Sequence, residues 1–490
     1  MFTDVQVDHR SPVPAYRQIY LVIKKAIGAG VLTHGEKLPP TRELAGLLGL
    51  NRATVTAAYE LLELDGLIAG HVGRGSFVEA TSQAAPDGIR WDELVPPNAW
   101  ETMGPPAAGG EVISFASSRP AEAQFPLEDF RAVCAEVTGG EDIGRILQLG
   151  GPGGYAPLLG HLREQAAADQ AARPGDDILI TNGCQQALDL LVRVLIRPGD
   201  GVILEDPVYP GLIQLFRRAG ARLIGVPVDG EGIDAARACQ SMAREQPKML
   251  VLAPTFQNPT GATMPRAARA SVLGAARERG VIVIENDIYS GLRYQAHPVP
   301  ALKQLDEGGD VVLLRSFSKV AFPGLRVGWV IAPRALIAAL TAAKQWCDLH
   351  TNQLSQAVLL RFAESGRLER HVERARNQGR VRLRAVLDAC GEFLPPGAGF
   401  TRPEGGMNLW VRLPDPLDAG ELAARARQEG VAYLAGRYFS VSRPHTACLR
   451  LSFAALEPEK IRRGLQILGG IFAGELERAA RGPEPVPAMV

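Results

Sequence analysis

The sequence lacks a net charge, a cysteine framework and long apolar runs. Lys plus Arg and Asp plus Glu both number 53, so no overall field attracts nucleic acid or a membrane, and a DNA contact must come from a local surface. The six cysteines are widely spaced without a C-x-x-C pair, which indicates neither a zinc site nor a disulfide framework. We therefore expect no metal site.

The apolar runs are too short for a membrane-spanning protein. None approaches the roughly 20 residues that a membrane-spanning helix needs, and the N-terminus carries acidic residues, unlike a signal peptide. We expect a cytoplasmic protein without a membrane partner. What the chain does have is length and apolar content. Its 490 residues, 46% hydrophobic and 22% charged, indicate a globular protein of about three domains with a large core.

Residues 1–79 predict a small helical module followed by a hairpin. Apolar residues at helical spacing predict one helix from about Pro14 to Ala29 and a second helix after Pro40. Asn51 is the predicted N-cap of a third helix, which starts at Arg52. Two short helices joined by a glycine turn describe a helix–turn–helix, and the hairpin after them has a Gly-Arg-Gly tip.

The third helix would present its N-terminal end to a major groove, where Arg52 and Thr54 can reach base edges. Arg42 opens the second helix and can reach a phosphate or a guanine edge, while Arg74 at the hairpin tip suits a minor groove or a phosphate. The alternative is a protein–protein module with solvated arginines, because residues 1–78 hold eight Lys and Arg against seven Asp and Glu.

The motifs of this module carry a family resemblance. The stretches 35–45 (GEKLPPTRELA), 50–59 (LNRATVTAAY) and 73–78 (GRGSFV) resemble the GntR-type winged helix–turn–helix. The resemblance implies binding to a double-stranded DNA operator. The DNA-contacting positions that it implies are Arg42, Asn51, Arg52, Thr54, Gly73, Arg74 and Gly75.

Residues 80–111 are rich in proline, glycine and alanine and predict a semi-flexible linker. Residues 112–480 then alternate short apolar runs with helical stretches, and 481–490 form a tail. Apolar strands separated by helices indicate an α/β domain with a mostly parallel, seven-stranded sheet covered on both faces. The predicted strands are 178–180, 202–204, 223–226, 249–252, 281–284, 311–314 and 327–331.

Ligands of such sheets collect at the carboxyl ends of the strands. Lys319 follows one of these ends, with Ser316 and Ser318 before it and Arg326 after it. A deprotonated lysine amine forms Schiff bases, and hydroxyls beside an arginine suit a phosphate. The combination indicates a lysine bonded to pyridoxal phosphate. Alone, the motif also fits an ordinary exposed lysine in a serine-rich loop.

Other strand ends carry side chains that suit the same cofactor. Residues 183–185 (Gly-Cys-Gln) open a helix whose free N–H groups favour a phosphate. Tyr209 can stack on a flat ring, Asn258 can donate to a ring hydroxyl, and Asp287 can hold a pyridine nitrogen protonated. Singly, these signals also fit a turn, a core edge and a helix cap. Their order along successive strand ends favours one cofactor site.

Residues 112–480 are similar to fold-type I pyridoxal-phosphate aminotransferases in the motifs 258–261 (NPTG), 316–319 (SFSK) and 324–329 (GLRVGW). The similarity implies a large part at about 150–360 and a smaller C-terminal α+β part at about 361–480. It implies Lys319, Asp287 and Tyr209 as catalytic residues and Arg450 as the clamp for a substrate carboxylate. The implied cofactor-binding residues are Gly183, Cys184, Gln185, Tyr209, Asn258, Asp287, Tyr289, Ser316, Ser318, Lys319 and Arg326.

Two stretches depart from the aminotransferase pattern. Leu149 replaces a tyrosine that normally reaches the phosphate of the partner subunit. Ser118-Arg119-Pro120 stands where a Gly-x-Pro is usual near the substrate. Both changes weigh against efficient transamination or ordinary substrate choice.

The order of a GntR-like winged helix, a linker and an aminotransferase-like domain resembles the MocR-type bacterial regulators. The resemblance implies a homodimeric transcriptional regulator that senses an amino acid or amine through a pyridoxal-phosphate aldimine at Lys319. Two alternatives stay open. One is an active aminotransferase that carries a DNA-binding domain, and the other is a regulator for which the cofactor itself is the sensed ligand.

Overall fold

The computed structural model describes residues 7, 13–71, 75–79, 112–295 and 297–481. The chain divides into two compact units, Met1–Glu101 and Thr102–Val490, which are described separately. Three predicted features lie outside the described residues: Gly73 and Arg74 of the hairpin tip, the linker at 80–111, and the tail beyond residue 481. Among the described helices, none combines the length and apolar character that a membrane crossing requires.

The first unit contains the three predicted helices and the predicted hairpin. The helices are α1 (Ala15–Gly28), α2 (Thr41–Leu48) and α3 (Arg52–Leu64), and the strands are β1 (Ile68–His71) and β2 (Gly75–Val78). The strands pair antiparallel. Each helix buries one apolar stripe, as its spacing predicts. The shared core consists of Ile19, Ile23, Ala26, Ile27, Leu32, Leu38, Leu44, Ala45, Val55, Ala58, Tyr59, Leu62, Ile68 and Val78.

Local chemistry fixes the turn between α2 and α3. Gly49 ends α2 with a φ of +65°, a left-handed conformation that favours glycine. The Asn51 side-chain oxygen accepts a hydrogen bond from the Ala53 amide at 3.0 Å, so Asn51 is the N-cap that the sequence predicts. The buried Tyr59 hydroxyl donates to the Pro39 carbonyl at 2.7 Å and ties α3 to the segment before α2.

The second unit is built on three sheets. Its strands in chain order are β3 (Ile113–Ser114), β4 (Asp176–Thr181), β5 (Gly201–Asp206), β6 (Arg222–Asp229), β7 (Gly232–Ile233), β8 (Met249–Leu252), β9 (Ile282–Asn286), β10 (Val311–Ser316), β11 (Gly328–Pro333), β12 (Gly399–Phe400), β13 (Asn408–Arg412), β14 (Val431–Ala432), β15 (Leu434–Ala435) and β16 (Cys448–Ser452). The largest sheet has the order β4-β11-β10-β9-β8-β5-β6-β7.

This large sheet confirms the prediction of a mostly parallel sheet. All seven predicted strands are present, and β10, β9, β8, β5 and β6 pair parallel in that order. Only β11 reverses direction among the seven, because it pairs antiparallel with both β4 and β10. The two-residue β7 adds an eighth strand at one edge. The β10–β11 reversal keeps the connection with Lys319 at the carboxyl edge of the sheet.

Helices cover the large sheet and support a smaller C-terminal part. In chain order they are α4 (Leu127–Thr138), α5 (Ile143–Ile146), α6 (Ala156–Ala168), α7 (Cys184–Leu195), α8 (Pro210–Arg218), α9 (Ala235–Glu245), α10 (Arg266–Arg279), α11 (Leu302–Leu305), α12 (Arg334–Asp348), α13 (Gln353–Glu364), α14 (Arg367–Phe393), α15 (Ala419–Gln428) and α16 (Pro458–Arg481). Burial of strand residues on both faces matches this two-sided cover.

The C-terminal part holds the four-stranded sheet β12-β13-β16-β15, whose apolar face packs against the long helices α14 and α16. The first described strand of the unit belongs to this part as well, because β3 pairs parallel with β14. Residues 113–118 therefore run from the end of the predicted linker along the C-terminal part and reach the edge of the large sheet.

Candidate functional site

One large cavity opens at the carboxyl edge of the large sheet, against the C-terminal part. Its volume is about 1210 Å³. Ten of the predicted site residues line it: Cys184, Gln185, Tyr209, Asn258, Tyr289, Ser316, Ser318, Lys319, Arg326 and Arg450. The two others lie directly behind this lining. Gly183 lies next to Arg326, and Asp287 lies in the chain between the lining residues Asn286 and Ile288. The structure thus brings all twelve together.

Lys319 ends a short 3-10 turn, Phe317–Lys319, that follows β10. Its amine donates to the carbonyl oxygen of Ser118 at 2.7 Å and lies 5.8 Å from the centre of the Tyr289 ring. The Ser118 hydroxyl lies 3.2 Å from the Tyr289 hydroxyl. The amine therefore faces the cavity, held by a carbonyl and without a carboxylate among its hydrogen-bond partners in the described residues.

A cradle for an anion lies beside the lysine. Gly183 precedes α7 with a φ of +75°, so the first free amides of that helix point towards the cradle. The guanidinium of Arg326 donates to the Ser318 hydroxyl at 3.4 Å and to the Asn182 carbonyl at 3.2 Å. The Ser316 hydroxyl donates to Ser318 at 2.9 Å. Helix amides, two hydroxyls and one guanidinium are the donors that a phosphate prefers.

Cys184 adds no charge to this cradle. Its thiol donates to the Arg315 carbonyl at 3.3 Å, and burial raises the pKa of Cys184 to about 12. The thiol is therefore neutral near pH 7 and does not repel an anion. Gly183 has a steric role as well, because a Cβ at this position would lie 2.5 Å from an Arg326 guanidinium nitrogen.

Asp287 supplies a buried acceptor. One carboxylate oxygen accepts from the Arg315 side chain at 3.1 Å, and the other is buried without a hydrogen-bond partner among the described residues. Burial alone would lower the pKa of Arg315, but the charge of Asp287 raises it, so Arg315 stays charged. Glu285 lies two residues earlier, and burial followed by the charge of Asp287 raises its pKa to about 7.

These features fit pyridoxal phosphate. The unpartnered oxygen of Asp287 suits the protonated ring nitrogen, and the cradle beside Arg326 suits the phosphate group. Lys319 presents an amine to the space between them. Tyr209, at the start of α8, also faces this space, and burial raises the pKa of its hydroxyl, which therefore stays protonated near pH 7.

Arg450 lies on β16 at the far side of the cavity. One guanidinium nitrogen donates to the Asn258 side-chain oxygen at 3.0 Å, another donates to the Ala116 carbonyl, and the group stacks 5.2 Å from the centre of the Phe439 ring. Its Nε is buried without a partner among the described residues. Burial lowers the pKa of Arg450 to about 10, which still leaves it charged and suited to a carboxylate.

Three contacts of this site were not predicted. Arg315 precedes the serine motif, but only the pairing of β9 with β10 brings it beside Asp287. The backbone carbonyls of Ala116 and Ser118 could not be predicted as contacts, because side-chain identity does not single out a backbone group. Ser118 was noted only as a departure from the aminotransferase pattern. The other departure, Leu149, is 72% exposed and is not among the lining residues of this cavity.

The predicted DNA contacts lie on the first unit. Arg42 and Arg52 are exposed, and Thr54 is half-buried at the same end of α3. Asn51 is exposed, but its oxygen caps α3, so only its NH₂ group can donate to DNA. Gly75 opens β2 and is exposed, with a φ of +103°.

Comparison with known proteins assigns both units to families. Residues 141–468 match "Aminotransferase class I and II", and residues 15–78 match "Bacterial regulatory proteins, gntR family". A solved structure that is 37% identical is LysN, an alpha-aminoadipate aminotransferase from Thermus thermophilus in complex with N-(5'-phosphopyridoxyl)-L-leucine. It covers 75% of this chain and 94% of its own, with a TM-score of 0.70.

Two relatives match over nearly the full length. The uncharacterized HTH-type transcriptional regulator YdfD of Bacillus subtilis is 30% identical and covers 93% of this chain and 96% of its own. The probable rhizopine catabolism regulatory protein MocR of Rhizobium meliloti is 27% identical and covers 97% of this chain and 99% of its own. Both therefore share the order of the two units.

Proposed function

Because the chain belongs to the class I and II aminotransferase family and to the MocR-like regulators that join this domain to a gntR-family domain, we propose that it regulates transcription in response to an amino compound. The first unit binds double-stranded DNA, and the second binds pyridoxal phosphate and the effector. The full-length relatives support a regulator over an enzyme, since they carry both units in this order.

The residues of the cavity divide into those that hold the cofactor and those that hold the ligand. When bound, the cofactor supplies an aldehyde that bonds to amines and a ring that withdraws electrons. Lys319 provides the amine, Asp287 the acceptor for the ring nitrogen, and Tyr209 a stacking surface. Asn258 and Tyr289, which line the same cavity, would donate to the ring oxygen. The phosphate would be held in the cradle at Gly183 by the amides of Cys184 and Gln185, the hydroxyls of Ser316 and Ser318, and Arg326. The Gly183 amide itself donates to the Thr181 carbonyl at 2.8 Å.

One observation carries the regulatory proposal. Lys319 and Arg450 both donate to backbone carbonyls of the segment 113–118, at Ser118 and Ala116. This segment follows the predicted linker directly. A ligand carboxylate that engages Arg450 competes for the donor that Ala116 uses, so ligand binding and the position of the segment are coupled. A ligand biases a regulator only through such a differential contact.

Pairing of two copies through the second unit is part of the proposal. Leu147, Leu149, Trp346 and Leu349 are between 58% and 91% exposed. The two stretches that carry them are neighbours, because the Gln353 side chain donates to the Gln148 carbonyl at 2.8 Å. Exposed apolar side chains of this size favour a protein interface. A homodimer would present two winged helices, and therefore bind an operator with two half-sites.

An active aminotransferase is the second candidate. The convergence of Lys319, Asp287 and Arg450 on one cavity favours it, because these are the groups that such a reaction uses. The two candidates differ in the fate of the bound amino acid. A sensor holds it, whereas an aminotransferase keeps its nitrogen on the cofactor and releases a 2-oxo acid.

The test uses the full-length protein loaded with pyridoxal phosphate. The duplexes that the protein binds are first selected from a randomised DNA library. The affinity of the protein for the selected duplex is then measured with and without a panel of amino acids and amines. We expect at least one compound to change both the cofactor absorbance and the DNA affinity, and Lys319→Ala to abolish both responses. Selection of no sequence, or a DNA affinity that no compound changes, would contradict the proposal. Release of a 2-oxo acid would favour the enzyme.

A further inference from the structure

The cavity extends beyond the cofactor and ligand anchors. One lobe runs along α15, where Gly420, Ala423 and Ala424 line it. These small side chains leave open space on the helix face. The segment Gly436–Phe439, a 3-10 helix, borders the same lobe through Arg437 and Tyr438.

The charged residues that line the cavity are mostly positive. The cationic residues that line it are Lys319, Arg326, Arg427, Arg437 and Arg450. Among the described lining residues only Glu205 carries a carboxylate, and burial raises its pKa to about 8, so it is largely neutral near pH 7. Under the proposed function, Lys319 is used by the aldehyde, Arg326 by the phosphate and Arg450 by the α-carboxylate. Of the remaining two, Arg427 already has an interaction within the protein, whereas Arg437 keeps a positive charge that these groups of the ligand and cofactor do not match.

Arg437 is fixed close to the carboxylate clamp. It follows β15, whose Leu434 pairs with Arg450 across the sheet. The ring of Phe439 supports Arg450 at 5.2 Å, and the ring of Tyr438 supports the Arg437 guanidinium at 5.4 Å. The two arginines thus lie on either side of one short helical turn in the sequence and fold, and both line the same cavity.

No carboxylate of the described residues lies within ion-pair distance of Arg437. The carboxylate of Asp418, which like Arg437 lies beside Gly420, accepts from the amides of Gly420 and Glu421 and so caps α15. Gly420 makes room for the guanidinium, because a Cβ there would lie 2.8 Å from one of its nitrogens. Arg437 is exposed and lines the cavity, so its five donors face solvent or a ligand.

We infer that the effector is an amino acid whose side chain ends in a carboxylate, and that Arg437 recognises this second carboxylate. The inference rests on the proposed function and narrows its ligand class. The α-amino group meets the cofactor at Lys319, the α-carboxylate meets Arg450, and the side chain extends along α15 to Arg437. Arg437 acts as a specificity-determining residue and takes no part in bonding to the cofactor.

The test compares acids with neutral partners of the same length on the full-length, cofactor-loaded protein. The pairs are aspartate and asparagine, glutamate and glutamine, and 2-aminoadipate and norleucine. Dissociation constants come from calorimetry and from the cofactor absorbance. A charge-assisted contact predicts about 10- to 100-fold tighter binding of the acid in at least one pair. Arg437→Gln should remove this preference, while Arg437→Lys should keep part of it.

Arg443→Gln is the matched control, because Arg443 is exposed in the same region but does not line the cavity. It should leave the preference intact. An acid-to-neutral ratio near one in all pairs, or a preference that survives Arg437→Gln, overturns the inference while leaving the proposed function standing. If no amino compound binds the cofactor-loaded protein at all, the proposed function fails and the inference fails with it.

Discussion

Gly183→Ala should selectively weaken the hold on the phosphate group. The new Cβ would lie 2.5 Å from one Arg326 guanidinium nitrogen and 3.1 Å from its central carbon. The guanidinium end is the more mobile partner, so Arg326 moves away and loses its contacts with Ser318 and the Asn182 carbonyl. The φ of +75° at residue 183 adds backbone strain for alanine.

The magnitude follows from the contacts that are lost. A hydrogen bond to a charged group contributes about 1.5–3 kcal/mol, so displacement of Arg326 should raise the dissociation constant for pyridoxal phosphate by about 10- to 100-fold. Backbone strain of about 1–3 kcal/mol destabilises the folded protein to the same extent whether or not the phosphate is bound. The affinity for pyridoxal, which lacks the phosphate, should therefore change much less.

The assay measures both dissociation constants from the visible absorbance of the dialysed protein. Gly324→Ala is the control, because residue 324 lies in the same connection before Arg326 and a Cβ there meets no atom within 4 Å. It should change neither constant. If Gly183→Ala weakened pyridoxal and pyridoxal phosphate by the same factor, or weakened neither, the assignment of the cradle to the phosphate would be wrong.

Three further predictions follow from other parts of the chain. Asp287→Asn removes the charge opposite the ring nitrogen and should lower cofactor affinity by about tenfold and shift its absorbance, as a spectrophotometric titration would detect; an unchanged spectrum would contradict the role. Glu205 has a raised pKa, so the folded state holds its proton more tightly and loses stability as pH rises from about 4.5 to 8. Between about pH 5.5 and 7.5 this loss is about 3 kcal/mol, which Glu205→Gln should abolish in chemical unfolding; equal pH slopes would refute it. Asn51→Ala removes the N-cap of α3 and should destabilise the first unit by about 1 kcal/mol in thermal unfolding, whereas an unchanged transition would show that the cap contributes nothing.

Much of the fold could be predicted because its elements are bounded by local signals. Each of the seven predicted strands of the large sheet contains a short apolar run, and the turn before α3 is marked by Gly49 and Asn51. The site could be predicted because parallel strands end at one edge, so residues at successive strand ends meet there. This rule alone brings Tyr209 and Asn258 to one cavity and Asp287 to the layer directly behind its lining.

What the sequence could not reveal depends on strand register and backbone groups. Arg315 reaches Asp287 because Leu314 pairs with Asn286 across β10 and β9, and nothing in either strand determines that register alone. Arg437 lies about 120 residues from Lys319 in the chain and carries no motif. The carbonyls of Ala116 and Ser118 are common to every residue, so only the fold can single them out.

The two carbonyls separate the inputs that the segment 113–118 receives. Under the proposed function, the cofactor bonds to the amine of Lys319, so cofactor loading acts on the hydrogen bond from that amine to the Ser118 carbonyl. Under the same proposal, a ligand carboxylate binds Arg450, so the effector acts on the hydrogen bond from Arg450 to the Ala116 carbonyl. Because coupling is reciprocal, DNA that favours one position of the segment must change effector affinity by the same factor. A protein that sensed the cofactor alone would need only the first contact, and the presence of the second therefore favours an amino acid effector.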